Sequence, residues 1–433
     1  MLVGLALQMA GALAIERRER TGLTPEPGGL PVKREKKGKN GKTCKTGERY
    51  REWCHVVRFR GKGPLVGEYR NPFTPTFGIV PPFMAGRTYI IDDILRALDR
   101  GPGDPNLSTI FIGARGTGKT ALLSYLSSEA ASHGWIAVSV AAAPGMLEDI
   151  YERTKEAAAE FIDQSDSPRL KGISVAQLFG AEWETPAREP ENWRTRMNRL
   201  FKSLEKYDIG LLITIDEIRV TLDEMVAFAS TYQLFVREGK RVGLLMAGLP
   251  QQVSALLRNE SVSFLRRCVQ HHLDSVADQE VADALRRTVE SEGRTVGVAE
   301  LRRMVEAIGG FPFMMQLVGY RVWDQSPCER EISEEDVERG IELAHSDMEQ
   351  RVLEPTYREL SNQDVQFLEA MLPDGGGVSS ISNVAERMGV SSNYASKYRA
   401  RLIEQGVIGE RGRGRIGFDM PFFREYVGKM RTA

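Results

Sequence analysis

The sequence contains little cysteine and little histidine. Its 433 residues include four cysteines, Cys44, Cys54, Cys268 and Cys328, and five histidines. These cysteines are too few for a disulfide scaffold and too far apart for paired metal ligands. His271 and His272 lack partners at metal-ligand spacing, so we interpret them as structural or surface residues. The composition favours a protein of the reducing cytoplasm.

Long apolar runs are also missing. Residues 1–14 are apolar and end in a triplet that resembles a signal-peptidase site, but the basic residues follow this run instead of preceding it. The run is too short to span a bilayer, which needs about 20 apolar residues, and no later segment approaches that length. We therefore expect a cytoplasmic protein that does not cross a membrane.

Net charge is nearly absent, because 58 Lys and Arg residues are balanced by 59 Asp and Glu residues. This balance excludes a protein that is basic throughout, so any nucleic-acid surface must be local. Between residues 16 and 70, however, 16 Lys and Arg outnumber 7 Asp and Glu. We predict that residues 1–70 form a basic, disordered segment, with an arm that follows nucleic acid as the alternative.

From residue 71 onward, short apolar runs alternate with amphipathic stretches. The apolar runs are residues 109–112, 135–140, 210–215 and 242–247. This alternation predicts an α/β fold in which crossover helices cover a parallel sheet. Strand signals stop after Pro250 and helical periods follow. We expect the core to occupy residues 71–270, a helical lid residues 271–354 and a smaller domain residues 355–433.

Residues 113–120 read GARGTGKT, which fits the pattern GxxxxGK[ST] of a phosphate-binding loop. The segment follows a predicted strand and precedes a predicted helix, as this mechanism requires. Backbone N–H groups of such a loop point at phosphate oxygens, and the helix adds the positive end of its dipole. Lys119 is predicted to bind the β and γ phosphates and Thr120 to bind Mg²⁺. The predicted nucleotide-binding residues are Gly113, Ala114, Arg115, Gly116, Thr117, Gly118, Lys119 and Thr120.

A second motif, GLLITIDEI at residues 210–218, places two acids at the carboxyl end of a buried strand. Ligands bind at this edge in open α/β sheets. Asp216 is predicted to hold the metal and its water shell, and Glu217 to orient and deprotonate the attacking water. The sequence has no NKxD-type segment for reading guanine. The two motifs predict an ATP hydrolase with Lys119, Asp216 and Glu217 as catalytic residues.

These motifs carry a resemblance to a known family. The phosphate loop, the acidic strand about 100 residues later, the Pro-rich turn with Ala85-Gly86-Arg87 and the helical region that follows resemble the AAA+ and related STAND ATPases. The resemblance covers residues 71–433 and points to the initiator-like branch, the origin-recognition type ATPases that end in a winged helix. It implies that residues 80–87 line the adenine side of an ATP site.

The sequence departs from that family at two points. Residues 247–250 (AGLP) lack the polar sensor that usually touches the γ-phosphate, and the motif GGFP at residues 309–312 lacks the usual sensor arginine. GGFP is similar to the GxP motif of STAND switches, which implies that Pro312 lies at the nucleotide. Arg266 and Arg267 stand where the family often keeps an arginine that acts on nucleotide, with a solvated basic pair as the alternative.

The carboxyl-terminal region predicts a DNA-binding module. Ser361 and Asp364 form a capping-box signal, and residues 381–405 predict a helix-turn-helix. A hairpin is predicted from a strand at 406–408, a basic tip at 411–415 and a returning strand at 416–418. Together these elements predict a winged helix.

Positive charge is again concentrated in residues 391–433, which hold nine Lys and Arg against four acids. The predicted contacts with double-stranded DNA are Lys397, Arg399, Arg411, Arg413 and Arg415. We thus expect an ATP- and Mg²⁺-dependent AAA+-like ATPase whose nucleotide state controls a DNA-binding winged helix. The alternative is a STAND-like switch with little turnover whose winged helix docks a protein. The resemblance is compatible with a homo-oligomer, and the sequence does not indicate the biological process.

Overall fold

The computed structural model describes residues 70–76, 78–164, 192–218 and 223–432. The basic segment predicted to be disordered lies, apart from Arg70, outside these ranges. All of the described residues belong to one compact unit. Among them, no helix combines the length and the apolar character that a bilayer crossing requires.

A parallel sheet forms the centre of the core and confirms the predicted α/β fold. In the described part of the chain its strands are β1 Ser108–Ile112, β2 Trp135–Ala141, β3 Gly210–Asp216, β4 Val242–Gly248 and β5 Val269–His272. Their order is β2-β3-β4-β1-β5, and all neighbouring strands run parallel. Strands β3 and β4 are buried along almost their whole length, which is why they appear in the sequence as continuous apolar runs.

Strand β5 corrects the expectation that the strands of the core stop at Pro250. It is a short edge strand beside β1, and its residues alternate between half-buried and exposed positions. Because only Val269 in it is apolar, no apolar run marks it in the sequence. His271 lies on this strand and packs against Phe111, with ring centroids 6.1 Å apart.

Helices cover both faces of the sheet. They are α1 Thr88–Arg100, α2 Lys119–Glu129, α3 Met146–Gln164, α4 Trp193–Glu205, α5 Asp223–Arg237 and α6 Pro250–Arg258. Successive strand residues point to opposite faces, so Phe111 joins the apolar layer under α1 and α2 while Ile110 joins the layer under α3 to α5. After α2 a 3₁₀ turn leads to Gly134, whose φ of 77° ends the helical segment in a left-handed C-cap.

The lid follows β5. Its helices are α7 Asp278–Ser291, α8 Val298–Ile308, α9 Pro312–Trp323 and α10 Glu334–Met348, and its short parallel strands are β6 Thr295–Val296 and β7 Glu331–Ile332. A π-helical turn at Glu349–Leu353 and helix α11 Glu354–Arg358 continue from α10. One apolar cluster extends from the lid into the carboxyl-terminal helices, so the two regions share a core.

An extended segment, residues 71–76, crosses the lid, and we call it the strap. Phe73 is buried against Gly319 of α9, where an added Cβ would lie 2.3 Å from the Phe73 ring. The Asn71 side-chain amide donates to the backbone oxygen of Tyr320 at 3.0 Å. The strap is thus fixed to a helix about 250 residues later in the chain.

Residues 361–432, the C-terminal domain, combine helices with an antiparallel sheet. The helices are α12 Asn362–Met371, α13 Ile381–Arg387, α14 Ser392–Glu404 and α15 Phe423–Thr432. Strands β8 Val378–Ser380, β9 Ile408–Glu410 and β10 Arg415–Phe418 pair in the order β8-β10-β9. The predicted capping box of Ser361 and Asp364 is confirmed. The helix pair and the hairpin lie where expected, although β9 begins two residues later.

Candidate functional site

The phosphate-loop segment connects β1 to α2 in a tight curl. Gly116 and Gly118 adopt φ values of 81° and 85°, which favour glycine because other side chains are strained there. The Thr117 hydroxyl donates to the backbone oxygen of Ala114 at 2.9 Å and braces the curl from inside. The glycines of the motif are therefore required by the backbone geometry of the loop.

Lys119 is enclosed by its own loop. Its Nζ donates to the backbone oxygens of Gly113 at 2.8 Å and Ala114 at 2.6 Å. Burial lowers the pKa of Lys119 to about 8, although the negative charge of Asp216 opposes that shift. Near pH 8 the Lys119 side chain therefore exists both as the neutral amine and as the charged ammonium. A bound anion would favour the ammonium.

Thr120 and Asp216 meet at the carboxyl edge of the sheet. The Thr120 hydroxyl donates to Asp216 Oδ2 at 2.6 Å, and the Glu217 N–H donates to Asp216 Oδ1 at 2.8 Å. A hydroxyl and a carboxylate are hard oxygen donors of the kind that Mg²⁺ accepts. The described residues contain no group of three or more His, Cys, Asp or Glu side chains suited to a metal, so a magnesium ion here would complete its shell with phosphate and water.

Glu217 follows directly in a left-handed conformation. Its φ is 52°, an uncommon value for a residue other than glycine. The Ile218 N–H then donates to the backbone oxygen of Ala247 at 3.0 Å, so the chain rejoins the edge of β4 immediately. Glu217 is exposed at this turn. Such local strain at a sheet edge is typical of functional positions.

The GGFP motif of the lid lies against the phosphate loop. The Phe313 N–H donates to the backbone oxygen of Gly116 at 3.4 Å. An added Cβ on Gly118 would lie 3.7 Å from Cβ of Pro312, the first residue of α9. Pro312 thus lies beside the loop, and its contact with nucleotide stays a prediction.

The turn at residues 80–87 packs against the start of the lid. Arg87 is buried and donates to the backbone oxygen of Asp274 at 2.9 Å, and burial lowers its pKa. The guanidinium of Arg287, on α7, lies 4.3 Å from the centroid of the Phe83 ring. These contacts fix the position of the turn, and its contact with adenine stays a prediction.

Two of the positions that were compared with the family's sensors, Gly248 and Arg266, have other partners in this structure. Gly248 at the end of β4 accepts a hydrogen bond from the Gly113 N–H at 3.3 Å, and its surroundings are the apolar side chains of Val253 and Ile218. Arg266 donates to the backbone oxygen of Leu257 at 2.7 Å and so caps the end of α6.

A cavity of about 620 Å³ separates the start of the phosphate loop from the C-terminal domain. Gly113 and Ala114 line one side of it, and Gly406 and Arg411 line the other. At its edge the two sides touch, since an added Cβ on Gly406 would lie 3.3 Å from Leu249. The C-terminal domain therefore lies next to the phosphate loop.

The structure divides the five predicted DNA contacts into two groups. Lys397, on α14, and Arg413 and Arg415, on the hairpin, are exposed. Arg399 is half-buried and lies 4.0 Å from Glu410, and Arg411 is exposed but ion-paired with Asp419, which follows β10. Sequence reasoning could not separate these groups, because their partners come from the tertiary fold.

Sequence reasoning also missed Phe422. Its φ is 62°, a strained value for a bulky residue, and its ring packs against Phe311 of the GGFP motif with centroids 6.1 Å apart. The same ring contacts His345 edge to face at 5.6 Å. No pattern in the sequence marks this residue, yet it joins the C-terminal domain to the lid motif.

Comparison with known proteins supports the fold. A domain of unknown function, DUF8462, matches residues 350–427, and no curated protein matches the chain. A Walker-type ATPase of Pyrococcus abyssi aligns with 80% of this chain and 96% of its own, with a TM-score of 0.55 and 13% identity. Cdc6p of Pyrobaculum aerophilum (83% and 97%, 0.42, 14% identity) and the Aeropyrum pernix ORC1 protein, solved in complex with DNA (81% and 94%, 0.39, 17% identity), are also similar. The chain thus has the fold of a Walker-type, P-loop ATPase.

Proposed function

We propose that the protein is an AAA+-like ATPase that binds ATP in the loop of residues 113–120. The observation that carries this proposal is the meeting of Lys119, Thr120 and Asp216 at one edge of the sheet, although Thr120 and Asp216 are 96 residues apart in sequence. In the ATPase mechanism, Lys119 would bind phosphate, Thr120 would bind the metal and Asp216 would hold the metal-bound water. The fold that 80% of this chain shares with a Walker-type ATPase agrees with this assignment.

The roles follow from the positions of the groups. The loop N–H groups and the Lys119 ammonium would hold the phosphates, while Thr120 and Asp216 would hold Mg²⁺, which neutralises phosphate charge when bound. Glu217 stands beside Asp216, exposed and turned out of the strand, where it can accept a proton from a water molecule. We assign it as the general base.

The lid motif supports coupling between the nucleotide and the C-terminal domain. On one side it contacts Gly116 and Gly118 through Phe313 and Pro312, and on the other side Phe311 packs against Phe422. A change in the loop that moves the start of α9 would therefore act on Phe422. We propose that nucleotide state sets the position of the C-terminal domain in this way.

Duplex DNA is the proposed partner of the C-terminal domain, which we interpret as a winged helix. The exposed Lys397 on α14 and the exposed Arg413 and Arg415 on the hairpin provide positive charge on two neighbouring elements. A helix in the major groove with a basic hairpin along the backbone would use these side chains for phosphate contacts.

A salt-dependent titration of labelled duplex DNA tests both parts of the proposal. It is run without nucleotide, with ADP and with ATP, on the parent protein and on Lys119→Ala. We expect the parent's DNA affinity to differ among the three conditions and that of the variant to be the same in all of them. Equal affinities for the parent would contradict the coupling, and DNA binding that is absent at low salt would contradict the assignment of the partner.

A second candidate is a STAND-like switch that retains ATP with little turnover. The observation that favours it is the apolar end of β4, where Gly248 lies among the side chains of Val253 and Ile218. A switch would keep its nucleotide through purification, whereas an ATPase would release phosphate repeatedly. Measured phosphate release per protein molecule over hours separates the two candidates.

A further inference from the structure

We infer that Arg115, in the middle of the phosphate loop, binds the terminal phosphate of ATP and thereby distinguishes ATP from ADP. This inference rests on the proposed function, because it requires a nucleotide in the loop of residues 113–120. The pattern GxxxxGK[ST] places no requirement on this position of the loop. Three observations carry the inference, namely the position of Arg115 beside Lys119, the fixed backbone around it and the exposure of its guanidinium.

Arg115 lies at the end of the site where the β and γ phosphates are expected. The Lys119 Nζ, which reaches these two phosphates in loops of this kind, lies 2.6 Å from the backbone oxygen of Ala114. The peptide bond joins that carbonyl group to the nitrogen of Arg115. Burial is the main cause of the lowered pKa of Lys119, and the positive charge of Arg115 contributes to it. The two cations therefore belong to the same end of the site.

The backbone is fixed on both sides of Arg115. On one side, the backbone oxygen of Ala114 accepts a hydrogen bond from the Thr117 hydroxyl at 2.9 Å. On the other side, the backbone oxygen of Gly116 accepts one from the Phe313 N–H of the lid at 3.4 Å. The loop and the lid thus hold the base of the Arg115 side chain in place. A cation on such a support needs little reorganisation when phosphate binds.

The guanidinium of Arg115 is exposed and available to a ligand. Among the described residues it makes neither a hydrogen bond nor an ion pair. Arginines elsewhere that could be considered for this role already have partners. Arg87 and Arg266 each donate to a backbone oxygen, and Arg411 is ion-paired. Those side chains would have to give up a contact to bind phosphate, whereas Arg115 would give up none in this part of the chain.

The charges around Lys119 explain why the third phosphate needs a further cation. The acids there are Asp216 and Glu217, whose negative charges oppose the fall in the pKa of Lys119. ATP brings one more phosphate than ADP to this end of the site, and its negative charge adds to that of the two carboxylates. A guanidinium suits phosphate because its planar set of donors can bind two oxygens at once. Arg115 should therefore contribute to the affinity for ATP and not to that for ADP.

Isothermal calorimetry in the presence of Mg²⁺ tests this inference on the full chain, with ADP and with the non-hydrolysable β,γ-imido analogue of ATP. Arg115→Gln keeps a polar side chain but removes its charge. We expect the variant to bind the analogue about tenfold more weakly, as loss of a charged hydrogen bond predicts, and to bind ADP within about twofold of the parent's affinity. Unchanged ADP affinity also shows that the variant is folded.

Arg237→Gln is the matched control. Arg237 is exposed at the last turn of α5, which leads to the start of β4 and so lies at the opposite edge of the sheet. This variant should bind both nucleotides like the parent.

The ratio of the two affinities decides the outcome. Equal weakening of ADP and the analogue by Arg115→Gln would overturn the inference, because Arg115 would then act on the loop or on the other phosphates. Parental affinity for both nucleotides in Arg115→Gln would overturn it as well. If the parent protein binds neither nucleotide, the proposed function itself fails and the inference fails with it, and that outcome is distinct from the other two.

Discussion

The phosphate loop and the C-terminal hairpin both place positive charge on a glycine-rich backbone, but they hold it differently. In the loop, Lys119 is enclosed by two backbone oxygens and its pKa falls to about 8. In the hairpin, Arg411, Arg413 and Arg415 are all exposed, and Arg411 is ion-paired with Asp419. The difference shows that the count of charges in a motif does not reveal how many of them can meet an external ligand.

The largest effect is expected on ATP turnover, for a change at the proposed general base beside the phosphate loop. Glu217→Gln keeps the size and polarity of the side chain but removes the proposed base, so turnover should fall about 100-fold or more. ATP affinity should stay at the parental value, because Glu217 is not placed to hold phosphate. Phosphate release and calorimetry check the two quantities separately. Unchanged turnover would show that Glu217 only ends the strand.

A slightly smaller effect is expected on ATP affinity when the enclosed ammonium of Lys119 is removed. Lys119→Ala removes the ammonium and should weaken ATP by about 3 kcal/mol, or about 100-fold. Lys202→Ala, which removes an exposed charge from α4, is the control and should bind ATP normally. Calorimetry on the two variants makes the comparison. Normal affinity in Lys119→Ala would mean that the loop does not bind phosphate.

The lowered pKa of Lys119 predicts a pH dependence that an exposed arginine cannot show. Bound phosphate favours the charged form and raises the pKa in the complex above about 8, its value without nucleotide. The affinity for ATP should therefore be highest below pH 8. It should fall by up to about tenfold per pH unit as the pH rises above 8. Titrations between pH 7 and 9.5 measure this, and Lys119→Ala should lose the dependence. A flat profile in the parent protein would refute it.

The smallest effect is expected for the exposed arginines of the hairpin. Replacing both Arg413 and Arg415 with Ala should make the salt slope of duplex binding shallower by about two units. Stability should change little, because exposed substitutions usually cost less than about 0.5 kcal/mol each. The control is the pair Arg302→Ala and Arg339→Ala in the lid, which are also exposed. A parental slope in the hairpin variant would favour the protein-docking alternative.

The sequence allowed prediction of those elements in which local chemistry determines local structure. The phosphate loop, the buried strands β1 to β4 and the capping box of Ser361 each have a pattern that follows directly from backbone geometry. Strand β5 escaped prediction because it is short, lies at the sheet edge and contains one apolar residue. It is a strand because it pairs with β1, about 160 residues earlier, and the residues of β5 themselves do not indicate this pairing.

The candidate site was predictable to the same extent. Lys119, Thr120 and Asp216 were identified from motifs, and the structure brings them together. Arg411 was predicted as a DNA contact from its basic neighbours, and the sequence did not reveal its ion pair with Asp419. Phe422 was missed for a similar reason, since its role depends on a lid motif more than 100 residues earlier.

The strap has a consequence for the order in which parts of the chain fold during synthesis. It is synthesised before the sheet, but its partners on α9, including the Gly319 position that accepts Phe73, come about 250 residues later. At about 5–20 residues per second, translation leaves the strap without its partner helix for about 12–50 s. The strands of the sheet can pair during that interval. The core of the lid, however, stays incomplete until the strap packs against α9. The amino-terminal end of this unit is therefore among the last parts to reach its native place on the ribosome.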